Sequence, residues 1–150
     1  MSVLNLRLLG DKRTVTLHQQ QPPLVETNGT VTKRVVKIIA DRDVLEKSHE
    51  NWSHHAIARM QENVYSDKGD MLESKEPLTV YLKVSRSPSQ IKNLEHEASF
   101  YVNDLLHAQG KYVPRFYGFY TGRGADKQRM SCTVLEFVHG DGPVFGSEIL

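Results

Sequence analysis

One helix with strong boundary signals is the feature that most constrains how this 150-residue chain can fold. Residues 87–90, Ser-Pro-Ser-Gln, form a capping box with proline at the first helical position. Apolar residues then recur on one helical face from Ile91 to Leu105, and Gly110 can adopt the left-handed conformation that ends a helix. The pattern predicts an amphipathic helix that must bury one face against a sheet.

Short segments rich in β-branched and aromatic residues lie on both sides of this helix and predict the strands of that sheet. The predicted strands are 13–17, 30–40, 78–84, 115–121 and 130–138. Polar segments at 19–23 and 65–77 are predicted connections, and apolar residues at steps of four and seven between Asp41 and Asn63 predict a second helix. The predicted fold class is α+β: a twisted antiparallel β-sheet with one capped helix packed on it, plus an N-terminal helical segment.

The composition, 39% hydrophobic and 25% charged, is that of one globular domain over residues 1–150. Nineteen basic and eighteen acidic residues give a net charge of +1, so we expect no nucleic-acid partner. The single cysteine, Cys132, excludes an internal disulfide and suits a reducing compartment. No apolar run approaches the roughly 18 residues of a membrane helix, and the first residues do not resemble a signal peptide. We therefore predict a cytoplasmic or nuclear protein with no membrane partner.

Residues 78–140 present a strand containing a lysine, a capped helix containing a glutamate, two further strands and a Gly-rich exit. The segments are VYLK at 80–83, EASFY at 97–101, VPRFYG at 113–118 and VLEFVHG at 134–140. Their order and spacing resemble the small N-terminal lobe of the protein-kinase-like fold, in its aminoglycoside-phosphotransferase-like and fungal kinase-like branch. The resemblance implies a small-lobe core over about residues 64–145, preceded by N-terminal strands and a helix over 11–63.

The resemblance also implies a cofactor site. Lys83 would neutralise nucleotide phosphates, and Glu97 would hold the lysine side chain by a charge-assisted hydrogen bond. Helical geometry leaves Glu95 as an alternative partner, because both glutamates flank the apolar stripe. The backbone around Glu136 and Val138 would bind an adenine edge, so ATP is the implied cofactor. On the residues alone, a strand lysine is as readily explained as an outward-facing residue that discourages aggregation.

Departures from this family decide the functional prediction. A phosphate-binding loop needs several glycines, but the segment before Lys83 offers only Gly69. The acids after residue 138 are Asp141 and Glu148, and neither lies in a His-x-Asp or Asp-Phe-Gly motif. No catalytic residue is therefore predicted. The histidines at 49, 54 and 55 lack the spacing of a ligand pair, so no metal site is predicted either.

Three functional hypotheses follow. The first is a non-catalytic interaction or regulatory module with residual nucleotide binding. Its exposed apolar hinge face would be covered by a second copy or by another protein, with the apolar residues 144–150 taking part. The second is one part of a phosphotransferase that a second chain or lobe completes. The third is an unrelated small α+β scaffold for protein recognition.

Overall fold

The computed structural model of the chain describes residues 2–8, 13–21, 32–45, 54–124 and 127–138, with side chains described for all of these except 21, 32, 41–45 and 54. These residues form eight strands and one helix. The elements are β1 Ser2–Arg7, β2 Val15–Gln21, β3 Thr32–Leu45, β4 His54–Ser66, β5 Met71–Ser74, β6 Leu78–Ser85, α1 Pro88–Val102, β7 Phe116–Arg123 and β8 Arg129–Glu136.

Seven of these strands close into a barrel. Their order is β3-β1-β2-β7-β8-β6-β4, and β3 pairs again with β4, while β5 extends the sheet from one edge of β4. The β1–β3 pairing is parallel, and the others are antiparallel. The predicted open sheet of an α+β fold is therefore wrong. Closure satisfies edge backbone groups that an open sheet would leave unpaired, and it depends on β1, which the sequence reading did not identify as a strand.

The predicted N-terminal helix between Asp41 and Asn63 is also wrong within the described residues. Residues 41–45 belong to β3 and residues 54–63 to β4, and the two strands pair from Leu45 and His54 onward. Apolar residues four apart lie on one face of a helix and equally on one face of a strand. Ala56 and Met60 have that spacing, and both face the barrel interior.

The barrel is filled by side chains from all seven of its strands, largely one from every second position. Its buried residues are Leu4, Leu6, Leu8, Leu17, Val36, Ile38, Ala40, Ala56, Ala58, Val80, Leu82, Val84, Tyr120, Met130, Cys132 and Val134. This filled interior overturns the kinase-like small lobe that the resemblance implied. An open lobe would expose the sheet face opposite its helix, whereas here that face is the core of a barrel.

The predicted strand and helix around α1 agree with the structure more closely than the predicted N-terminal helix does. The predicted strand 78–84 lies within β6, and the predicted helix begins at Pro88 as expected. The predicted capping box is wrong in its hydrogen bonds, because the Ser87 side chain makes no capping hydrogen bond and its Oγ lies 3.1 Å from that of Ser89. It ends at Val102 rather than near Gly110, because turns replace the helix after Asn103. The predicted connection at 65–77 instead contains the end of β4, a turn and β5. The segment 27–30, whose Asn-Gly sequence predicts a turn, and the segment 144–150 lie outside the described residues.

A second apolar cluster holds α1 against the outside of the barrel. It consists of Leu94, Ala98, Tyr101, Val113, Phe116, Phe119 and Leu135. The rings of Tyr101 and Phe116 stack with centroids 5.3 Å apart. Across the described ranges, no helix is long and apolar enough to cross a lipid bilayer.

Candidate functional site

A buried ion pair joins α1 to the barrel. On β6, Val84 and Leu82 face the interior, so Lys83 points outward beneath the helix. Its Nζ donates a hydrogen bond of 2.8 Å to Oε1 of Glu97. Lys83 is 1% exposed and Glu97 is 7% exposed, whereas Glu95 lies exposed on the helix. Of the two glutamates that the sequence left open, the structure pairs Glu97 with the lysine.

The environment of this pair defines what it can do. Removing two charged groups from water costs several kcal/mol for each ion, and direct contact between them offsets much of that cost. Since Lys83 is covered by α1 and already neutralised by Glu97, a phosphate would have to displace the carboxylate to bind it. The pair as it stands fixes the helix on the barrel. A phosphate-binding role for Lys83 stays a prediction.

Further polar side chains lie on the same outer face of the barrel. His55 on β4 and Thr133 on β8 are the direct cross-strand neighbours of Lys83. Nδ1 of His55 and the hydroxyl of Tyr81 form a hydrogen bond of 2.6 Å. The hydroxyls of Thr133 and Ser131 are buried without a hydrogen-bond partner among the described residues. Polar side chains therefore lie on the outer face of the barrel together with the apolar cluster that holds α1.

Tyr101 adds an unusual group to this interface. Its side chain is fully buried, and its hydroxyl has no hydrogen-bond partner among the described residues. Burial, and then the nearby charge of Glu97, raise the pKa of the Tyr101 phenol above its ordinary value. The phenol is therefore neutral across the physiological pH range and is held in place by ring packing against Phe116.

Tyr101→Phe is expected to stabilise the protein by about 1 kcal/mol, because it removes a buried hydroxyl that makes no hydrogen bond while keeping the ring. Urea denaturation of the two proteins measures the change in the free energy of unfolding. Tyr112→Phe is the matched control, because Tyr112 is 79% exposed. A loss of stability in Tyr101→Phe beyond that of the control would contradict the assignment.

A groove runs along the helix beside the ion pair, and we call it the α1 groove. Its volume is about 520 Å³, and it is lined by Gln90, Asn93, Leu94, His96, Glu97, Phe100, Tyr101 and Leu105. From Gln90 to Tyr101 it follows roughly 16 Å of helix at 1.5 Å per residue. Phe100 is 41% exposed, and the ring of His96 meets it edge to face at 4.8 Å. Glu97 belongs to both the groove and the ion pair.

The predicted adenine-binding residues lie elsewhere. Glu136 ends β8 opposite Val80, three residues along β6 from Lys83, which is about 10 Å of strand. Its backbone N–H donates to the carbonyl of Arg115 at 2.9 Å, and its Oε1 accepts from the Arg115 N–H at 3.1 Å. Val138 follows and is 41% exposed. The structure brings Lys83 and Glu97 together, but the N–H of Glu136 is already used within the fold.

Neither the α1 groove nor the His55–Tyr81 contact is predicted from the sequence. The predicted helix includes His55, whereas the alternation of the polar His55 with the small apolar Ala56 is a signal for a strand. Among the described residues, no group of three His, Cys, Asp or Glu could hold a metal ion. Cys132 is buried, and burial raises the pKa of its thiol, which keeps it protonated.

The described residues define a small β-barrel with one external helix anchored by a buried ion pair. No family model matches this chain, and no curated protein or solved structure is significantly similar to it. The function must therefore be argued from the geometry of the molecule itself.

Proposed function

We propose that this protein is a non-catalytic interaction module that binds a partner protein through the α1 groove. The observation that supports this most directly is the shape of the groove, which is elongated along the helix and has the half-exposed ring of Phe100 at its side. Grooves of this form bind successive apolar side chains of a peptide segment. Pockets for small molecules more often enclose most of their ligand's surface.

The buried ionisable groups, both those beside the groove and those inside the barrel, support a binding role over a catalytic one. Lys83 and Glu97 neutralise each other, and burial raises the pKa of Tyr120 to about 12. Burial also raises the pKa of Tyr101 and of Cys132. Catalytic bases and nucleophiles need pKa values shifted toward neutrality, and these shifts are in the opposite direction. The two phenols and the thiol therefore stay protonated and unreactive at neutral pH.

The partner is expected to present an amphipathic segment with one aromatic or aliphatic side chain that contacts Phe100 and Leu105. Among the described lining residues, Glu97 supplies the one carboxylate, and its charge is already balanced by Lys83. Apolar contact should therefore contribute more to affinity than charge. A second copy of this chain and a different protein both satisfy this chemistry, and the experiment below distinguishes them.

A photoreactive benzoylphenylalanine at position 100 should crosslink the partner, and the same group at the exposed Tyr112 should not. A product of twice the monomer mass identifies a second copy, and any other defined mass identifies a different protein. Phe100→Asp should abolish crosslinking from a photoreactive group placed at Leu105. Equal yields from positions 100 and 112 would refute the α1 groove as the binding surface.

The nucleotide hypothesis can be tested on the same protein by thermal unfolding with millimolar ATP and magnesium. A rise in the melting temperature that is lost in Lys83→Ala would favour the rival hypothesis, a phosphotransferase part or a module that retains ATP. Because this variant is itself destabilised, the ligand-dependent shift is compared within each protein. The interaction module that we propose gives no shift in either one.

A further inference from the structure

A second surface, on the outer face of the neighbouring strands β1, β3 and β4, carries mainly positive charge. On β1, β3 and β4 most interior positions are apolar, with Arg34 and Glu62 as a charged pair among them, and the residues that alternate with the interior positions face outward. Four of these outward residues are basic and exposed, namely Arg7 on β1, Lys33 and Lys37 on β3, and Arg59 on β4. We call these four residues the basic face.

Strand register brings the basic face together. Ile39 lies directly opposite Arg7 on one side and Arg59 on the other, so the two arginine backbones are about 10 Å apart across three strands. Lys37 is two residues along β3 from Ile39, and Lys33 lies four residues further. The row from Lys33 to Ile39 therefore spans about 20 Å of strand.

The charges of the basic face have no paired carboxylate within the part of the chain that the structure describes. None of its four side chains lies within ion-pair distance of a carboxylate among the described residues. Glu62 on β4 faces the barrel interior and pairs with Arg34 and Lys75. In contrast, the segment 66–77 carries four acidic residues against two lysines. The net charge of +1 is therefore unevenly distributed, with an excess of acidic residues in the segment 66–77 and basic residues on the basic face.

We propose that the basic face binds single-stranded nucleic acid. The four positive side chains of the basic face are spread over three β-strands, and such a row of cations can contact successive phosphates of an extended single-stranded nucleic acid. Neither a helix nor an isolated two-stranded ribbon carries these residues, so the basic face cannot enter the major groove of a duplex. Asn5 and Gln61 flank Lys37 on the neighbouring strands, but the Asn5 Oδ1 already accepts from Thr16 and the Gln61 Nε2 already donates to the Lys75 carbonyl, so the proposal depends on the four cations.

The other polyanions fit this surface less well. A membrane-binding surface combines basic residues with several apolar side chains that enter the lipid, and Ile39 is the one large exposed apolar residue among the described side chains of these three strands. An acidic protein would need several carboxylates at matching positions along the same 20 Å. A single strand supplies evenly spaced phosphates without such a match. This site is separate from the α1 groove, and the two proposals can fail independently.

Fluorescence anisotropy of labelled oligo(dT) and oligo(U), each about 16 nucleotides long, tests the proposal. We expect a dissociation constant on the order of 10 µM at about 50 mM salt, and a slope near −3 for log K against log salt concentration. Lys37→Gln should reduce the magnitude of that slope by about 0.7, and Lys37→Glu with Arg59→Glu should weaken binding about tenfold or more. Lys68→Glu with Lys111→Glu changes two exposed lysines outside the basic face and should leave binding unchanged.

Three results would overturn the proposal. Equal weakening by both double variants would mean that binding follows total charge rather than the basic face. A salt-independent affinity would exclude phosphate contacts. Tighter binding to phosphatidylserine vesicles or to poly-glutamate than to either oligonucleotide would assign the surface to a membrane or to an acidic protein. Melting temperatures like that of the unmodified protein confirm that each variant is folded.

Discussion

Replacing Glu97 with alanine is expected to destabilise this protein by about 3–5 kcal/mol, because the change leaves the buried charge of Lys83 without a partner. Lys83 is 1% exposed, so its ammonium group cannot recover hydration without movement of α1. The free energy of unfolding, measured by urea denaturation at constant pH, gives the effect directly. A shift of this size would show that the ion pair fixes the helix on the barrel.

Two variants make this result specific. Glu95→Ala removes the exposed alternative partner and should change stability by no more than about 0.5 kcal/mol. The double variant Lys83→Met with Glu97→Leu removes both charges together and should recover most of the lost stability. If Glu97→Ala costs no more than Glu95→Ala, the ion pair is not a structural anchor.

The strand of Lys83 and the helix of Glu97 were accessible from sequence because their signals are local, whereas the preference for Glu97 over Glu95 came from the kinase-like resemblance. Pro88 at the first helical position indicated the start of the helix, an apolar run indicated the strand, and the two residues are only fourteen apart. Their roles were less accessible, since the same spacing suits a nucleotide site and a structural anchor. The distinction depends on burial, which the α1 packing determines and the sequence does not display.

Barrel closure was not accessible for a physical reason. It requires β1 to pair in parallel with β3, about thirty residues away, and β3 to pair back along most of β4. Such contacts follow from which faces can be buried together rather than from local propensity. The spacing of Ala56, Met60 and Val64 in steps of four fits a helix and a strand equally well, so the periodicity favoured the wrong element.

The basic face illustrates the same limitation for function. Net charge predicted no nucleic-acid partner, yet Arg7 and Arg59 become neighbours of Lys37 only through the register of three strands. Composition averages over the whole surface, whereas a binding partner meets one face. Whether that face binds nucleic acid is decided by the salt dependence and by the matched charge variants proposed above.

Leu4→Ala is the second change for which we expect a large effect, a loss of about 3–4 kcal/mol in the free energy of unfolding. Leu4 lies on β1 and is fully buried in the same cluster as Leu82 on β6. In a closed barrel both leucines fill one core, so Leu82→Ala should cost a similar amount. In the open sheet that the sequence predicted, the residues before the first strand lie outside the core, and Leu4→Ala would cost little.

Denaturation of Leu4→Ala, Leu82→Ala and the control Leu72→Ala under identical conditions separates these two architectures. Leu72 lies on β5 and is 58% exposed, so its truncation should cost no more than about 0.5 kcal/mol. A Leu4→Ala effect close to that of Leu72→Ala would mean that β1 does not close the barrel. The basic face would then lack Arg7 and would extend over β3 and β4 alone. The ion pair between β6 and α1 would be unaffected, because β6 pairs with β4 and β8 and not with β1.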